Sequence, residues 1–157
     1  MSIPIDDLVG RLFATAEGFG RKTLLEDNGE VIPLWSIVCD DDSLEVIGTP
    51  WQDETEKVMA LLMIKAALRS RRARAYSILS EVWTATWDKD QPKTWKVAGE
   101  APHKKEAMMI IVVTPERHDF KAWEIKRDIE GRCIALVPVD MPAQSTSGRM
   151  TELFEGL

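Results

Sequence analysis

AYSILSEVWTATW, residues 75–87, is the stretch that decides the fold of this 157-residue chain. It is rich in β-branched, aromatic and other apolar side chains, which predicts one long β-strand. Successive side chains of a strand point to opposite faces, so Glu81 shares its face with Leu79 and Trp83. A carboxylate therefore lies among apolar neighbours in the middle of this strand.

Three further strands are predicted to follow, over residues 106–114, 119–127 and 133–139. The first of them contains MMIIVV at residues 108–113, which is apolar on both faces and therefore belongs in the middle of a sheet. Short turns rich in charged residues, Pro and Gly separate the three strands. This pattern predicts an antiparallel meander next to the long strand.

The N-terminal part of the chain predicts a helix and then a hairpin. Residues 4–16 carry apolar side chains at helical spacing, and Gly18 and Gly20 are expected to end that helix. Residues 31–38 and 44–48 predict two strands, joined by a turn that contains three consecutive Asp.

A central helix is predicted over residues 54–70, with Asp53 and Glu56 forming a capping box at its start. Acids occupy its first turn and bases follow its last, as the helix dipole favours. The apolar residues of this helix are expected to form one broad face: Val58, Met59, Leu61, Leu62, Met63, Ala66, Ala67 and Leu68.

These elements predict a single α+β domain over residues 1–140. It has a mainly antiparallel sheet of about six strands, a central helix on one face, and amphipathic N- and C-terminal helices. Residues 141–157 predict a linker and a short helix in which Met150, Leu153 and Phe154 share one side. No apolar run approaches the roughly 20 residues that span a bilayer, and the N-terminus lacks a signal-peptide pattern. We therefore expect a cytoplasmic protein with no membrane contact.

The charge distribution offers a weak indication of a nucleic-acid partner. The net charge of −6 argues against a dedicated nucleic-acid-binding protein. However, residues 65–74, called here the basic cluster, contain five bases and no acid. The helix dipole accounts for much of this clustering. Contact with phosphate groups through the basic cluster stays open as an alternative.

Glu81 and Trp83 are the candidate ligand-binding residues of the long strand. If their face is covered, burial would raise the pKa of Glu81, and such a carboxyl can act as a general acid or base. The alternative is a structural carboxylate that pairs with a base, for which Lys65 and Arg69 are the candidates. Both bases therefore join the candidate site.

Trp95 is a further candidate because it lies in an unusually long connection, residues 88–105. Compact domains seldom contain such a loop without secondary structure, so it suggests a binding loop, a lid or disorder. A tryptophan in a loop generally covers something, whether its own domain, a second subunit or a ligand.

No catalytic residue, metal ligand or cofactor is predicted. Glycine-rich nucleotide loops, the H-E-x-x-H pattern and the G-x-S-x-G pattern are all missing from the sequence. The chain has two His and no nucleophile near either, which argues against a hydrolytic triad. Cys39 and Cys133 stand far apart in apolar, strand-like sequence, so we expect two buried free thiols rather than zinc ligands.

Ser80-Glu81-Val82-Trp83, the loop at residues 102–106 and the apolar strand at 108–113 resemble a group of small uncharacterised bacterial proteins. The resemblance covers residues 30–128 and implies the strand, loop and strand, but no activity. The order of elements also resembles profilin-like and roadblock-like domains. That second resemblance implies a scaffold that dimerises or holds partners.

The sequence favours a non-enzymatic protein-interaction module, most simply a homodimer. Apolar terminal helices and six tryptophans supply more apolar surface than one small domain is expected to cover. A small-molecule-binding or enzymatic domain built on Glu81 and the nearby tryptophans is the first alternative. Nucleic-acid binding through the basic cluster is the second.

Overall fold

The computed structural model describes residues 2–85, 100, 102–139 and 152–154. In that part of the chain, six strands form one antiparallel sheet on which helices pack, so the predicted α+β class and the antiparallel sheet are confirmed. The elements are α1 (Ile5–Arg21), a π-helical extension of α1 (Lys22–Glu26), β1 (Leu34–Val38), β2 (Leu44–Gly48), α2 (Glu54–Ser70), β3 (Ala75–Thr84), β4 (Lys105–Val113), β5 (His118–Arg127) and β6 (Cys133–Val139).

The strand order across the sheet is β2-β1-β3-β4-β5-β6, and each neighbouring pair is antiparallel. β4 lies between β3 and β5 and is covered on both sides. Met108 and Ile110 are buried on one of its faces, and Ile111 and Val113 are buried on the other. The prediction that this apolar strand lies inside the sheet is therefore confirmed.

β3 extends past its neighbour β1. The pairing of β1 with β3 stops at Leu34 and Leu79, whereas residues 80–84 pair with β4 alone. One side of the sheet therefore has a notch beyond the start of β1. The long strand ends at Thr84 and does not include Ala85, so the predicted end at Trp87 was too late. Residues 86 and 87 lie outside the described residues.

α1 packs on the face of the sheet that carries Leu79 and Met108. Its buried residues recur at helical spacing: Leu8, Val9, Leu12, Phe13, Ala16 and Gly20. A Cβ atom on Gly20 would overlap the sulfur of Met108 and would lie 3.3 Å from Cδ1 of Leu79. Glycine at this position therefore permits the close approach of helix and sheet.

The predicted end of the first helix was wrong. Gly18 and Gly20 lie inside α1, which runs to Arg21 and continues as the π-helical extension to Glu26. A glycine weakens a helix by about 1 kcal/mol without forcing it to stop. Burial of Leu24 fixes the extension against the core, so tertiary packing overrides the local tendency to end.

α2 packs on the opposite face of the sheet. Leu61, Ile64 and Leu68 join Trp35 and Tyr76 in a second buried cluster. Tyr76 is an odd number of residues from Leu79 along the same strand, so the two side chains point to opposite faces. The sheet is therefore covered by one helix on each side.

The start of α2 is capped as its sequence predicts. The side chain of Asp53 accepts a hydrogen bond from the Glu56 N–H at 2.7 Å, and the Glu56 carboxylate accepts one from the Gln52 N–H at 2.7 Å. The first contact satisfies a backbone donor that the first helical turn leaves without a partner. The second reaches the residue before the N-cap, where a standard capping box would use the Asp53 N–H. The predicted bounds of this helix are confirmed.

The C-terminal segment is described only at residues 152–154, which form a turn. Leu153 is buried in the cluster beneath α2, and the ring centroid of Phe154 lies 5.2 Å from that of Tyr76. These residues therefore belong to the core. The predicted linker, and the rest of the predicted final helix, lie outside the described residues.

Candidate functional site

Glu81 lies half-buried on the α1 side of the sheet, in the notch beyond β1. Its Oε1 accepts a hydrogen bond from the backbone N–H of Val31 at 3.0 Å. This contact ties the chain before β1 to β3. It also accounts for the start of β1 at Leu34 instead of residue 31, because a side chain occupies the Val31 N–H and Pro33 has none to offer.

The electrostatic surroundings of Glu81 favour its protonated form. Burial raises the pKa of Glu81, against the opposing effects of the Val31 hydrogen bond and the positive charge of Arg127. The neighbouring Glu106 raises this pKa further. Arg127 is engaged elsewhere, since its Nε donates to Oε2 of Glu106 at 2.6 Å. Glu81 is therefore a half-buried carboxyl with one backbone donor and a raised pKa.

An open groove of about 570 Å³ lies beside Glu81. It is lined by the chain before β1, the turn between β2 and α2, the first turns of α2 and the middle of β3: Glu30, Val31, Ile32, Pro33, Pro50, Trp51, Gln52, Lys57, Ser80, Glu81 and Val82. The Lys57 ammonium lies 5.7 Å from the centroid of the Trp51 ring. An acid, a base and an aromatic ring therefore line one open groove, which suits a small polar ligand.

Of the two predicted tryptophans, only Trp83 lies in the described part of the chain, and it does not line this groove. Trp83 shares a sheet face with Glu81 but is 47% exposed and does not line the groove. The ammonium of Lys104 lies 4.9 Å from its ring centroid. Trp95 lies outside the described residues, so its role stays a prediction.

Lys65 and Arg69 do not contact Glu81. Both belong to α2, which covers the face of the sheet opposite to the one that carries Glu81. The predicted pairing of Glu81 with either base was therefore wrong. The alternation that placed Glu81 beside Leu79 also directs it away from α2, and the Val31 N–H takes the place of the expected cation.

Two bases of the basic cluster hold the fold together. Nη2 of Arg71 donates to Oε1 of Glu45 at 2.7 Å. Arg74 pairs with Asp42, and its Nη2 donates to the carbonyl of Ile3 at 2.7 Å. These contacts fix the β1–β2 turn and the N-terminus. Nucleic-acid binding through the cluster stays a prediction, with fewer bases available than the sequence suggests.

α2 has a second apolar face, directed away from the sheet. The exposed fractions are 40% for Val58, 64% for Met59, 60% for Leu62 and 50% for Met63. Ala66 is exposed as well. We call these five residues the outer stripe, because helical spacing places them along one side of α2. Contiguous exposed apolar surface of this kind marks an interaction site.

The two edges of the sheet are less suited to association. β2 forms one edge and is only five residues long. β6 forms the other, contains Pro138, and has a register irregularity against β5 at Lys126 and Arg127. Short strands, prolines and bulges are devices that prevent edge strands from pairing with another chain. The five residues of the outer stripe carry no such device.

Sequence reasoning missed both the groove and the outer stripe. Trp51 and Lys57 flank a helix cap, and nothing in their local pattern predicts that they line the same groove as Glu81. The outer stripe had a signal, because the apolar residues of α2 extend over more than the roughly 100° that one core-facing stripe requires. They were predicted as one face, whereas α2 buries one set and exposes another.

Neither metal chemistry nor a reactive thiol is indicated in the part of the chain that the structure describes. It contains no group of three or more His, Cys, Asp or Glu that could hold a metal ion. Cys39 is half-buried and Cys133 is buried, and both are free. Burial raises the pKa of the Cys133 thiol, which favours its unreactive form.

None of the described helices is long and apolar enough to cross a membrane. Comparison of the chain with protein-family models, with curated proteins and with solved structures gives no match. The resemblance carried by residues 80–83 therefore stays a prediction.

Proposed function

We propose that this protein is a non-enzymatic interaction module that forms a homodimer through the outer stripe of α2. The observation that carries the proposal is the exposure of Met59, Leu62 and Met63 on the central helix. These side chains lie outside both buried clusters of the domain. Covering them with a second subunit would remove apolar surface from water, which is the main driving force of association.

The composition of the stripe supports this choice. Methionine is enriched at protein interfaces because its flexible thioether adapts to the partner surface. The stripe is free of charged side chains along its centre, from Met59 to Ala66 on the outward side of α2. Most soluble oligomers are symmetric homodimers, in which the same patch is used twice.

Substitution in the outer stripe tests the homodimer. We expect the wild-type protein to elute and scatter light as a dimer at micromolar concentration, and Leu62→Glu to be monomeric because it would bury two unpaired carboxylates. Ile134→Glu is the matched control, since Ile134 of β6 is also 60% exposed. This control should remain dimeric.

Three outcomes would contradict the proposal. They are a monomeric wild type at micromolar concentration, a dimer that survives Leu62→Glu, and equal dissociation of Leu62→Glu and Ile134→Glu. Circular dichroism of each variant separates loss of the dimer from loss of the fold.

The groove beside Glu81 supports a second candidate, a binding site for a small molecule that brings a positive charge or hydrogen-bond donors to this carboxylate. The observation that favours it is that Glu81, Trp51 and Lys57 all line one groove of about 570 Å³. A thermal-shift panel of free amino acids and diamines, run on wild type and Glu81→Gln, tests it. A stabilising compound that acts only on wild type is expected, and equal responses of the two proteins would remove the candidate.

A further inference from the structure

A concave apolar surface lies on the α1 side of the sheet, between α1 and the start of β2. Leu8 and Leu12 of α1 line it, as do Val38 of β1 and Leu44 of β2. Val38 and Leu44 are opposite each other in the β1–β2 ladder, so their side chains share the face on which α1 packs. This surface encloses about 300 Å³, and we call it the α1 cleft. Pockets of this size and apolar character bind small molecules.

Two charged side chains also line the α1 cleft, and they differ in their partners. Asp42 is engaged by the fold, since it pairs with Arg74 and accepts a hydrogen bond from the N–H of Ile3 at 3.1 Å. Arg11 is exposed, and its side chain forms no ion pair or hydrogen bond with any residue that the structure describes. The α1 cleft therefore combines an apolar lining with one positive charge that is available to a ligand.

We propose that the α1 cleft binds a medium-chain carboxylate, whose head group pairs with Arg11 and whose alkyl chain lies against Leu12 and Leu44. The planar guanidinium of arginine matches the two oxygens of a carboxylate. Leu44 is 47% exposed, so an alkyl chain over it would remove apolar surface from water. A volume of about 300 Å³ corresponds to roughly ten water-sized groups of about 30 Å³ each, which is the size of octanoate.

Other classes of ligand fit the α1 cleft less well. A cationic ligand would meet the charge of Arg11, and the carboxylate of Asp42 that it would need is already paired with Arg74. A neutral apolar ligand would leave the guanidinium of Arg11 without a partner. A carboxylate with an apolar chain uses both features of the α1 cleft at once.

Asp7 is the acid that helical spacing brings towards Arg11. It stands four residues earlier in α1, a separation at which side chains of a helix approach each other. Among the described residues the two form no ion pair. Asp7 therefore leaves Arg11 available and acts as a weak competitor of a bound carboxylate.

Calorimetric titration of the full chain with carboxylates of increasing length tests the apolar part of the site. From hexanoate to octanoate, the dissociation constant should fall by up to about fourfold for each added CH₂ group that is buried. It should stop falling beyond decanoate, because the α1 cleft is then full. No binding of octanoate, or a dissociation constant that keeps falling at the same rate to dodecanoate, would overturn the inference.

Removal of the charge tests the head group. Arg11→Gln should raise the dissociation constant of octanoate about fivefold and leave that of octanol, which has the same chain and no charge, unchanged. Asp7→Asn should lower the octanoate value, since it removes a competing acid. Arg132→Gln is the matched control, because Arg132 is also exposed and does not line the α1 cleft. Equal effects of Arg11→Gln on octanoate and octanol, or equal effects of Arg11→Gln and Arg132→Gln on octanoate, would overturn the pairing with Arg11.

Two substitutions on β2 test where the alkyl chain lies. Leu44 and Val46 are both exposed, but only Leu44 lines the α1 cleft. Leu44→Ala should raise the dissociation constant of octanoate about threefold, because it removes apolar contact surface, and Val46→Ala should leave it unchanged. No change in Leu44→Ala, or equal changes in both variants, would overturn the site, and circular dichroism of each variant checks its fold.

The inference goes beyond the proposed homodimer and fails independently of it. The α1 cleft and the outer stripe lie on opposite sides of the sheet. If octanoate does not bind while Leu62→Glu dissociates the dimer, the carboxylate site is overturned and the homodimer stands.

Discussion

α1 and α2 are helices of equal length, 17 residues each, on opposite faces of one sheet. They differ in how many large apolar residues they expose on the side directed away from the sheet. Outside its buried stripe, α1 presents Asp7, Arg11 and Gly18, and Phe19 is the large apolar residue that it exposes. α2 buries a comparable inner face and exposes four large apolar residues outside it.

The two helices differ in how much of their apolar surface the sheet covers. α1 has one apolar stripe, and the sheet covers it. α2 has two apolar faces, of which the sheet covers only one. Packing among the described residues therefore does not account for the outer stripe, and this is the physical basis of the proposed homodimer.

The largest expected effect comes from truncating the same residue type on the two helices. Leu12→Ala on α1 should lower the free energy of unfolding by about 2–5 kcal/mol, because Leu12 is 1% exposed and its loss leaves a cavity. Leu62→Ala on α2 should change it by about 0.5 kcal/mol or less in the monomer. Urea unfolding of both variants, at dilutions where the protein is monomeric, checks the pair. A large loss in Leu62→Ala would mean that the outer stripe is part of the core.

The next largest loss of stability is expected from substituting Glu81, on the α1 side of the sheet. Glu81→Ala leaves the buried N–H of Val31 without an acceptor and should cost about 1–3 kcal/mol, whereas Glu81→Gln keeps an acceptor oxygen and should cost less. Urea unfolding of the two variants measures this difference. Equal losses would show that the contact with Val31 contributes nothing.

The pH dependence of stability gives Glu81 a second readout. Its pKa is raised in the folded state, so protonation favours folding. The stability contributed by this carboxyl is full below the unfolded-state pKa of about 4.3 and is lost as pH rises through the folded-state pKa. The stability of wild type relative to Glu81→Gln should therefore fall between acidic and neutral pH. A constant difference would contradict the raised pKa.

The smallest expected effect comes from substituting two glycines of α1, and it tests how closely this helix packs on the sheet. Gly18→Ala meets nothing within 4 Å and should stabilise the protein by about 0.5–1 kcal/mol through helix propensity. Gly20→Ala gains the same propensity but crowds Met108 and Leu79, so a net loss of about 1 kcal/mol is expected. Thermal unfolding compares them. Equal stabilisation by the two changes would show that α1 is packed loosely on the sheet.

Much of the fold could be predicted from the sequence because local and tertiary signals agree. The bounds of β2, α2 and β6 follow from apolar periodicity and clear turn or cap residues, and the Asp53 cap forms as expected. The end of α1 could not be predicted. Gly18 and Gly20 resemble a stop signal locally, and only the contact of Gly20 with Met108, distant in sequence, explains why the helix continues.

The candidate site was predicted less well, because its parts come from separate segments. Strand alternation correctly placed Glu81 beside Leu79 on one face, and the same alternation excludes Lys65 and Arg69 as partners. The actual partner is the backbone of Val31, which has no signal in its side chain. The apolar excess of α2 was visible in the sequence. Which of its residues the sheet would leave exposed depends on how the helix is rotated against β1 and β3.

Methyl NMR of the methionines tests the central claim most directly, because Met59 and Met63 lie in the outer stripe while Met108 is fully buried in the opposite cluster. On dilution from high to low micromolar concentration, the methyl resonances of Met59 and Met63 are expected to shift or broaden as the dimer dissociates. The Met108 resonance should stay unchanged. If Met59 and Met63 give the same spectra at every concentration while the protein has the 17.7 kDa mass of one chain, the outer stripe is not a dimer interface.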